Sequence, residues 1–153
     1  MGANFALTVW IFFAGAIFAV PAATAATPCD TVPGSAVAAA LGAPRALKPE
    51  VNGIGCIYRT GPGEQLHVTW IVEEDTGPVK TSFDSVIQSI MFNKLPGVGA
   101  PAATRSRQIG KEWDQLVQFR AKGKIVTVNV TSYANALPDA TLAKLSALFL
   151  SKL

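Results

Sequence analysis

The sequence predicts an α+β domain, built as an antiparallel sheet of about five strands with helices packed on one face and closed by one disulfide. Three observations predict it: a helical apolar period within residues 79–95, a strand-like alternation within residues 65–73, and two cysteines, Cys29 and Cys56, downstream of an apolar N-terminal stretch. With 153 residues, the chain is long enough for one domain with a sizeable core and too short to suggest two.

The N-terminal stretch is predicted to be a secretory signal peptide, residues 1–25, ahead of a single domain over residues 26–153. Phe5 to Val20 are mostly apolar, Pro21 breaks a helix, and Ala23-Thr24-Ala25 has the small-residue pattern of a cleavage site. The apolar run is shorter than the roughly 20 residues that span a bilayer, which favours a signal peptide over an anchor. The Lys or Arg that usually precedes the apolar run of a signal peptide is absent here. We therefore expect export, to the periplasm or to the outside of the cell.

Cleavage of the signal peptide is expected after Ala25 or Ala26. The alternative is an uncleaved anchor over residues 7–26, the one case in which the sequence predicts contact with a membrane. A lipid anchor on Cys29 is disfavoured, because Pro28 stands where a lipoprotein signal needs a small residue.

Both cysteines lie beyond the signal segment, and an even number in an exported chain favours a disulfide, with Cys29–Cys56 as the one possible pair. Closing a loop of this length is expected to stabilise the domain by roughly 3–4 kcal/mol. A redox or metal site is disfavoured because the spacing is not C-x-x-C and no histidine ligands accompany it. We expect neither a metal nor a cofactor.

The first half of the domain is predicted to hold a helix, at most a short edge strand, and a hairpin. Pro33 to Gly42 has Pro in the first helical turn and Gly as a C-terminal stop, and the Pro- and Gly-rich tract that follows leaves room for an edge strand only around Leu47. Strands at Cys56–Arg59 and Gln65–Glu73 flank the turn tract Thr60–Glu64. The alternation places four apolar side chains on one face: Leu66, Val68, Trp70 and Val72.

A long amphipathic helix is predicted from Val79 to Leu95. Its apolar positions recur at spacings of three and four residues: Val79, Phe83, Val86, Ile87, Ile90 and Met91. Leu95 to Pro101 must then form a loop, because its two prolines and two glycines are incompatible with a helix or a central strand.

The second half of the domain is predicted to add three strands and a closing helix. The strands are expected at Thr104–Ile109, Gln115–Arg120 and Ile125–Ser132, with Lys122-Gly123 as a two-residue turn between the last two. A helix from Asp139 to Lys152 places Leu142, Leu145 and Phe149 on one side. Consecutive strands of this kind favour an antiparallel sheet.

In the order of these features the chain resembles a group of small exported cell-envelope domains of unknown function, common among actinobacterial lipoproteins. The resemblance covers essentially the whole predicted domain. It rests on segments in a shared order: Pro28-Cys29, Ala40-Leu41-Gly42, Gly55-Cys56-Ile57-Tyr58, Leu95-Pro96-Gly97-Val98-Gly99, Phe119 to Lys124, Val126 to Val130 and Leu142 to Leu153. The chain departs from the group in lacking a lipobox and in having Ala100-Pro101 where an acidic residue often follows the Pro-Gly-x-Gly loop. The resemblance implies a disulfide-closed α+β fold and an envelope location, and almost no chemistry.

No catalytic residue is assigned from the sequence. The single histidine, His67, lies inside a strand and faces away from Trp70, so a triad-type hydrolase has no evident base. Glu73, Glu74 and Asp75 form a carboxylate cluster at a strand end, which we interpret as a solvated loop, with a cation site or acid/base work as the alternative. Neither a Walker loop nor a dinucleotide fingerprint is present.

Five cations are candidate anion-binding residues: Arg105, Arg107, Arg120, Lys122 and Lys124. Together they would form a basic patch that attracts anionic lipid head groups or acidic envelope polymers, with scattered surface charge as the alternative interpretation. The formal net charge of +3 lies entirely at or beyond Asp30. It lacks the dense basic stripe with aromatic residues that is typical of nucleic-acid binding, so no nucleic-acid partner is expected.

Three functional hypotheses follow from the sequence. The first is a non-enzymatic binding or interaction module that engages an envelope component or a protein through the basic hairpin or the Pro-Gly-Val-Gly loop. The second is a hydrolase or transferase with a carboxylate-based site. The third is a structural accessory subunit, which a large exposed apolar patch would favour.

Overall fold

The computed structural model describes residues 27–60 and 66–153. The predicted signal peptide and residues 61–64 of the predicted hairpin turn lie outside these described residues. Within them the chain forms four helices: α1 (Pro28–Thr31), α2 (Gly34–Leu41), α3 (Gly77–Gln88) and α4 (Asp139–Leu150). It also forms seven strands: β1 (Lys48–Asn52), β2 (Gly55–Arg59), β3 (Leu66–Glu74), β4 (Asn93–Lys94), β5 (Ala102–Ile109), β6 (Glu112–Ala121) and β7 (Lys124–Ser132).

All seven strands join one antiparallel sheet in the order β1-β2-β3-β7-β6-β5-β4. The α+β class and the antiparallel sheet are thus confirmed, whereas the expected number of about five strands was too low. The strands beyond this number are the two edges of the sheet, and β1 lies next to Leu47, where the sequence left room for a short edge strand. β1 is exposed along its whole length and β4 has only two residues, so neither shows the alternation that marks a half-buried strand.

The main core lies on one face of the sheet. Trp70 of β3 stands opposite Val128 of β7, and Val128 stands opposite Val117 of β6, so these side chains share that face. Phe149 of α4 stacks on Trp70, with ring centroids 4.6 Å apart. Helices α2 and α4 cover this face, because their buried residues, such as Val37 of α2, belong to the same core cluster. Helix α1 has no fully buried residue and packs against the cluster through Cys29.

Helix α3 covers the opposite face, which corrects the expectation that all helices pack on one side. Its buried residue, Phe83, lies against Arg120, and Arg120 alternates along β6 with the core residue Phe119. Ile125 of β7 is buried on this second face, directly opposite Arg120. The sheet therefore has an apolar strip on each side, and each strip is covered by helix.

The predicted end of the long helix was also wrong, because α3 stops at Gln88 instead of Leu95. The backbone of Ser89 is extended, and the Ser89 hydroxyl oxygen accepts a hydrogen bond from the Met91 N–H at 3.2 Å. A side chain that binds nearby backbone in this way competes with helical hydrogen bonds. Ile90 and Met91, which continue the helical period in the sequence, consequently lie outside the helix and are exposed.

The predicted disulfide is confirmed: Cys29 of α1 is bonded to Cys56 of β2, and the two Cα atoms are 5.1 Å apart. Beside it, the buried hydroxyl of Tyr58 donates a 2.8 Å hydrogen bond to the carbonyl oxygen of Val32. Burial raises the pKa of Tyr58 to about 12, because the charged phenolate is poorly solvated there. The disulfide and this hydrogen bond together attach the first helical segment to the sheet.

A disulfide is compatible with an oxidising, exported location. Within residues 27–60 and 66–153, none of the helices combines the length and the apolar character needed to cross a bilayer.

Candidate functional site

Arg105 and Arg107, two of the predicted anion-binding residues, share one carboxylate. Both lie on the α3 face of β5, where a guanidinium nitrogen of each lies near the same carboxylate oxygen of Asp114, at 4.0 Å for Arg105 and 3.4 Å for Arg107. The other carboxylate oxygen of Asp114 accepts a 2.8 Å hydrogen bond from the side-chain amide of Asn129. One acidic group thus faces two cations, and this part of the face keeps a net positive charge.

Arg120, the third predicted residue, lies in a separate cluster under α3. Its guanidinium contacts Asp75 at 3.0 Å and Asp84 at 2.7 Å, and its carbon Cζ lies 4.6 Å from the centre of the Phe83 ring. Hydrogen bonds from Lys80, the larger effect, and from Arg120 hold the pKa of Asp84 below its usual value. This arrangement fixes α3 on the sheet by charge and aromatic contact, so Arg120 has a structural role.

Lys122 and Lys124 do not extend the Arg120 cluster. Lys124 pairs with Glu74 and, by strand alternation, projects from the side of the sheet opposite to Arg120. Lys122 occupies the β6–β7 turn with a positive φ of 52° and is exposed. The five predicted cations therefore do not form one patch: two share Asp114, one lies under α3, one pairs with Glu74 and one lies in a turn. Four of the five already contact carboxylates.

The carboxylates at the end of β3 are also separated. Asp75 is paired with Arg120 and Glu74 with Lys124, while Glu73 projects from the face opposite to Glu74. His67 precedes Glu73 by six positions on β3, which is about 20 Å along a strand. Nowhere in the described part of the chain do three His, Cys, Asp or Glu side chains converge in a way that could hold a metal ion.

The loop Leu95–Pro101 is held firmly despite its composition. Leu95 and Val98 are buried in the main core, and hydrogen bonds from the N–H of Leu95 to the carbonyl of Ala102 and from the N–H of Arg120 to the carbonyl of Pro101 fix its two ends. Gly97 has a φ of 87°, and a Cβ atom there would lie 3.6 Å from the Cβ of Ala143. The loop is thus a preformed surface that packs closely on α4.

An open hollow lies on each side of this loop. The first, which we name the α3 hollow, has a volume of about 300 Å³ and is lined by Ile87, Lys94, Leu95, Pro96, Ala100, Pro101 and Ala102. The second, the α4 hollow, has a volume of about 490 Å³ and is lined by Pro96, Gly97, Asp139, Ala140, Ala143 and Lys144. The two share Pro96, so the loop is a ridge between them.

The two hollows differ in their charged groups. Lys94 is the one charged residue that lines the α3 hollow; it is exposed and makes no ion pair with any described residue. The α4 hollow carries both Asp139 and Lys144, and Lys144 already donates a hydrogen bond of 3.3 Å to the carbonyl oxygen of Ala39. An apolar lining with one free cation is a common composition of a ligand site. The Pro-Gly pattern in the sequence indicated the loop but not the hollows. The hollows form only when α3 and α4 pack beside the loop.

Compared with protein-family models and with curated protein sequences, the chain matches none of them.

Proposed function

We propose that the chain is an exported, non-enzymatic interaction module of the cell envelope that binds its partner in the α3 hollow beside the loop Leu95–Pro101. The observation that carries this proposal is the combination of a rigid apolar hollow with Lys94 as the only charged residue among the described residues that line it. The chemistry that fits is an apolar group with an acidic end, such as an acyl chain that carries a carboxylate or phosphate. The resemblance to actinobacterial envelope domains and the disulfide support the exported location.

Rigidity supports the binding role. Because Leu95 and Val98 are anchored in the core and both loop ends are hydrogen-bonded, little conformational entropy remains to be lost when a ligand binds. A volume of about 300 Å³ is at the small end of ligand sites in proteins. The hollow therefore suits one chain or one side chain of a larger envelope component.

The other versions of the function have less support. The basic-hairpin version needs free cations, but Arg120 and Lys124 are paired with carboxylates. The carboxylate-based hydrolase or transferase needs acidic groups that converge, but Glu73 and Glu74 project from opposite faces of the sheet. The accessory-subunit hypothesis differs from our proposal in the kind of partner, and an exposed apolar patch of more than a few hundred Å² would favour it.

The experiment is a titration of isotope-labelled protein with anilinonaphthalenesulfonate, a soluble probe that carries apolar rings and one anionic group, followed by amide NMR shifts. We expect the largest shifts at Ile87 and at residues 94–102, which line the hollow, and not at the exposed turn 89–92. The charge reversal Lys94→Glu should weaken binding about tenfold, because an attractive charge contact near the surface becomes repulsive.

The matched control for this experiment is Lys48→Glu, which makes the same change in net charge at another exposed lysine, on β1 at the edge of the sheet opposite to β4. It should leave the affinity unchanged. Shifts that cluster away from Ile87 and residues 94–102, or equal effects of the two charge reversals, would refute the site.

A further inference from the structure

The turn between α3 and β4 displays two large apolar side chains. The N–H of Phe92 donates a 3.2 Å hydrogen bond to the carbonyl of Ser89, which closes a β-turn with Ile90 and Met91 at its corners. Ile90 is fully exposed, and the exposed fraction of Met91 is 66%. Corner positions of β-turns normally hold Gly, Pro, Asn, Asp or Ser. Neither side chain contributes to the folded core, so a different reason for their presence is required.

The surroundings of this turn are cationic. From Ser85 to Lys111 the chain has no Asp or Glu and has four cations: Lys94, Arg105, Arg107 and Lys111. This stretch includes the end of α3, the turn, β4 and β5, so it forms one whole edge of the sheet. Arg105 lies beside the turn, with its carbon Cζ 5.3 Å from the centre of the Phe92 ring. Asp114 partly neutralises Arg105 and Arg107, and Lys94 remains unpaired among the described residues.

We propose that the turn Ser89–Phe92 docks the domain on the surface of an anionic lipid bilayer. Ile90 and Met91 enter the boundary between head groups and acyl chains, while Lys94 and the neighbouring cations face the phosphates. Membrane-surface segments combine apolar side chains with Lys and Arg in the same way. This membrane contact is separate from the alternative of an uncleaved anchor over residues 7–26. It also does not depend on which ligand the α3 hollow takes.

The shape and size of the feature favour a bilayer over a protein partner. Two side chains at a convex tip bury only a small area, whereas stable protein interfaces bury about 1,200–2,000 Å² in total. A bilayer accepts a protruding tip without a preformed cavity, and a cationic edge adds attraction to anionic lipids. The cationic edge and the convex shape of the turn therefore both favour an anionic bilayer as its partner.

The test uses the full-length chain, as produced by a secreting host, with a reporter tryptophan placed by Met91→Trp. The matched control is Ile54→Trp, because Ile54 is similarly exposed at 61% but lies in the β1–β2 turn at the opposite edge of the sheet. Both proteins are mixed with vesicles of equal parts phosphatidylglycerol and brominated phosphatidylcholine. Bromine quenches a tryptophan that reaches the acyl chains. The native Trp10 of a retained N-terminal segment would be quenched equally in both proteins, so the measured quantity is the excess quenching of Met91→Trp over Ile54→Trp.

We expect clearly stronger quenching for Met91→Trp than for Ile54→Trp. The excess should disappear when phosphatidylglycerol is replaced by phosphatidylcholine and should fall at about 0.5 M salt, where surface charges are screened. In the same vesicles, the double substitution Ile90→Ser with Met91→Ser should lower partitioning about tenfold, while Ile54→Ser leaves it unchanged.

Equal quenching of the two reporters would overturn the proposal. So would quenching that is indifferent to phosphatidylglycerol, or a dimer that depends on Ile90 and Met91 and forms without vesicles. If the probe does not bind in the α3 hollow, the proposed function fails but the membrane proposal does not, because that titration contains no lipid.

Discussion

Removing the Cys29–Cys56 disulfide by the double substitution Cys29→Ala with Cys56→Ala lowers the free energy of unfolding by about 3–4 kcal/mol. The two residues are 27 positions apart, so the crosslink restricts a loop of substantial length in the unfolded chain. Cys56 is also fully buried among the core residues of β2. Because a small domain has a total stability of only about 5–15 kcal/mol, this is a large fraction of it. Urea unfolding followed by circular dichroism measures the change.

The loss should be concentrated near the attachment of α1. We expect faster amide hydrogen exchange in residues 27–41 than in α4, because the disulfide and the Tyr58–Val32 hydrogen bond connect the first segment to β2. Treatment with a thiol reductant should destabilise the wild-type protein similarly and leave the double variant unchanged, which controls for side effects of the reductant. A stability change below about 1 kcal/mol would show that the crosslink is not a major support of the fold.

The substitution Phe149→Ala is expected to lower the free energy of unfolding by about 3–5 kcal/mol. Phe149 is fully buried, stacks on Trp70 with an angle of 13° between the ring planes, and lies 6.2 Å from the ring of Tyr58. Its removal leaves a cavity between α4 and the centre of the sheet, where the surrounding backbone cannot close the space. Thermal and urea unfolding of the variant measure the loss.

The matched control is Phe92→Ala, the same truncation at a half-buried phenylalanine outside the main core cluster. It should cost less than about 2 kcal/mol, since less apolar area returns to water. Equal losses for the two substitutions would contradict the assignment of the main core to the face under α4.

The parts of the fold that the sequence predicted well are those where one face is buried and the other is not. The alternation of Val68 and Trp70 predicted β3, and the 3.6-residue period that includes Leu142 and Phe149 predicted α4, which begins at Asp139 as expected. The disulfide was predicted because two cysteines allow a single pair. These features are local in sequence or have only one solution.

The misses have physical causes. A periodic pattern records which residues are apolar, not which are buried, so Ile90 and Met91 extended the predicted helix although the chain turns at Ser89. The placement of α3 on the second face could have been inferred from the apolar residues Ile71 and Ile125, which interrupt the polar face of β3 and β7 and need a cover.

The candidate site was predictable only in part. The cations were visible in the sequence, but their partners were not, because Arg120 pairs with Asp84 from 36 positions away and Lys124 pairs with Glu74 from 50 positions away. Such pairs depend on the strand register and cannot be inferred from spacing. The loop at Leu95–Pro101 was recognised from its glycines and prolines, but the hollows depend on the packing of distant helices beside it.

We propose an exported, disulfide-closed domain, and intact mass spectrometry tests this proposal most directly. The full-length gene is expressed in a secreting bacterial host, and the product is weighed before and after reduction and alkylation. The account predicts a chain that begins at Ala26 or Thr27, with both cysteines unreactive until the disulfide is reduced. An uncut chain whose thiols alkylate without reduction would contradict it.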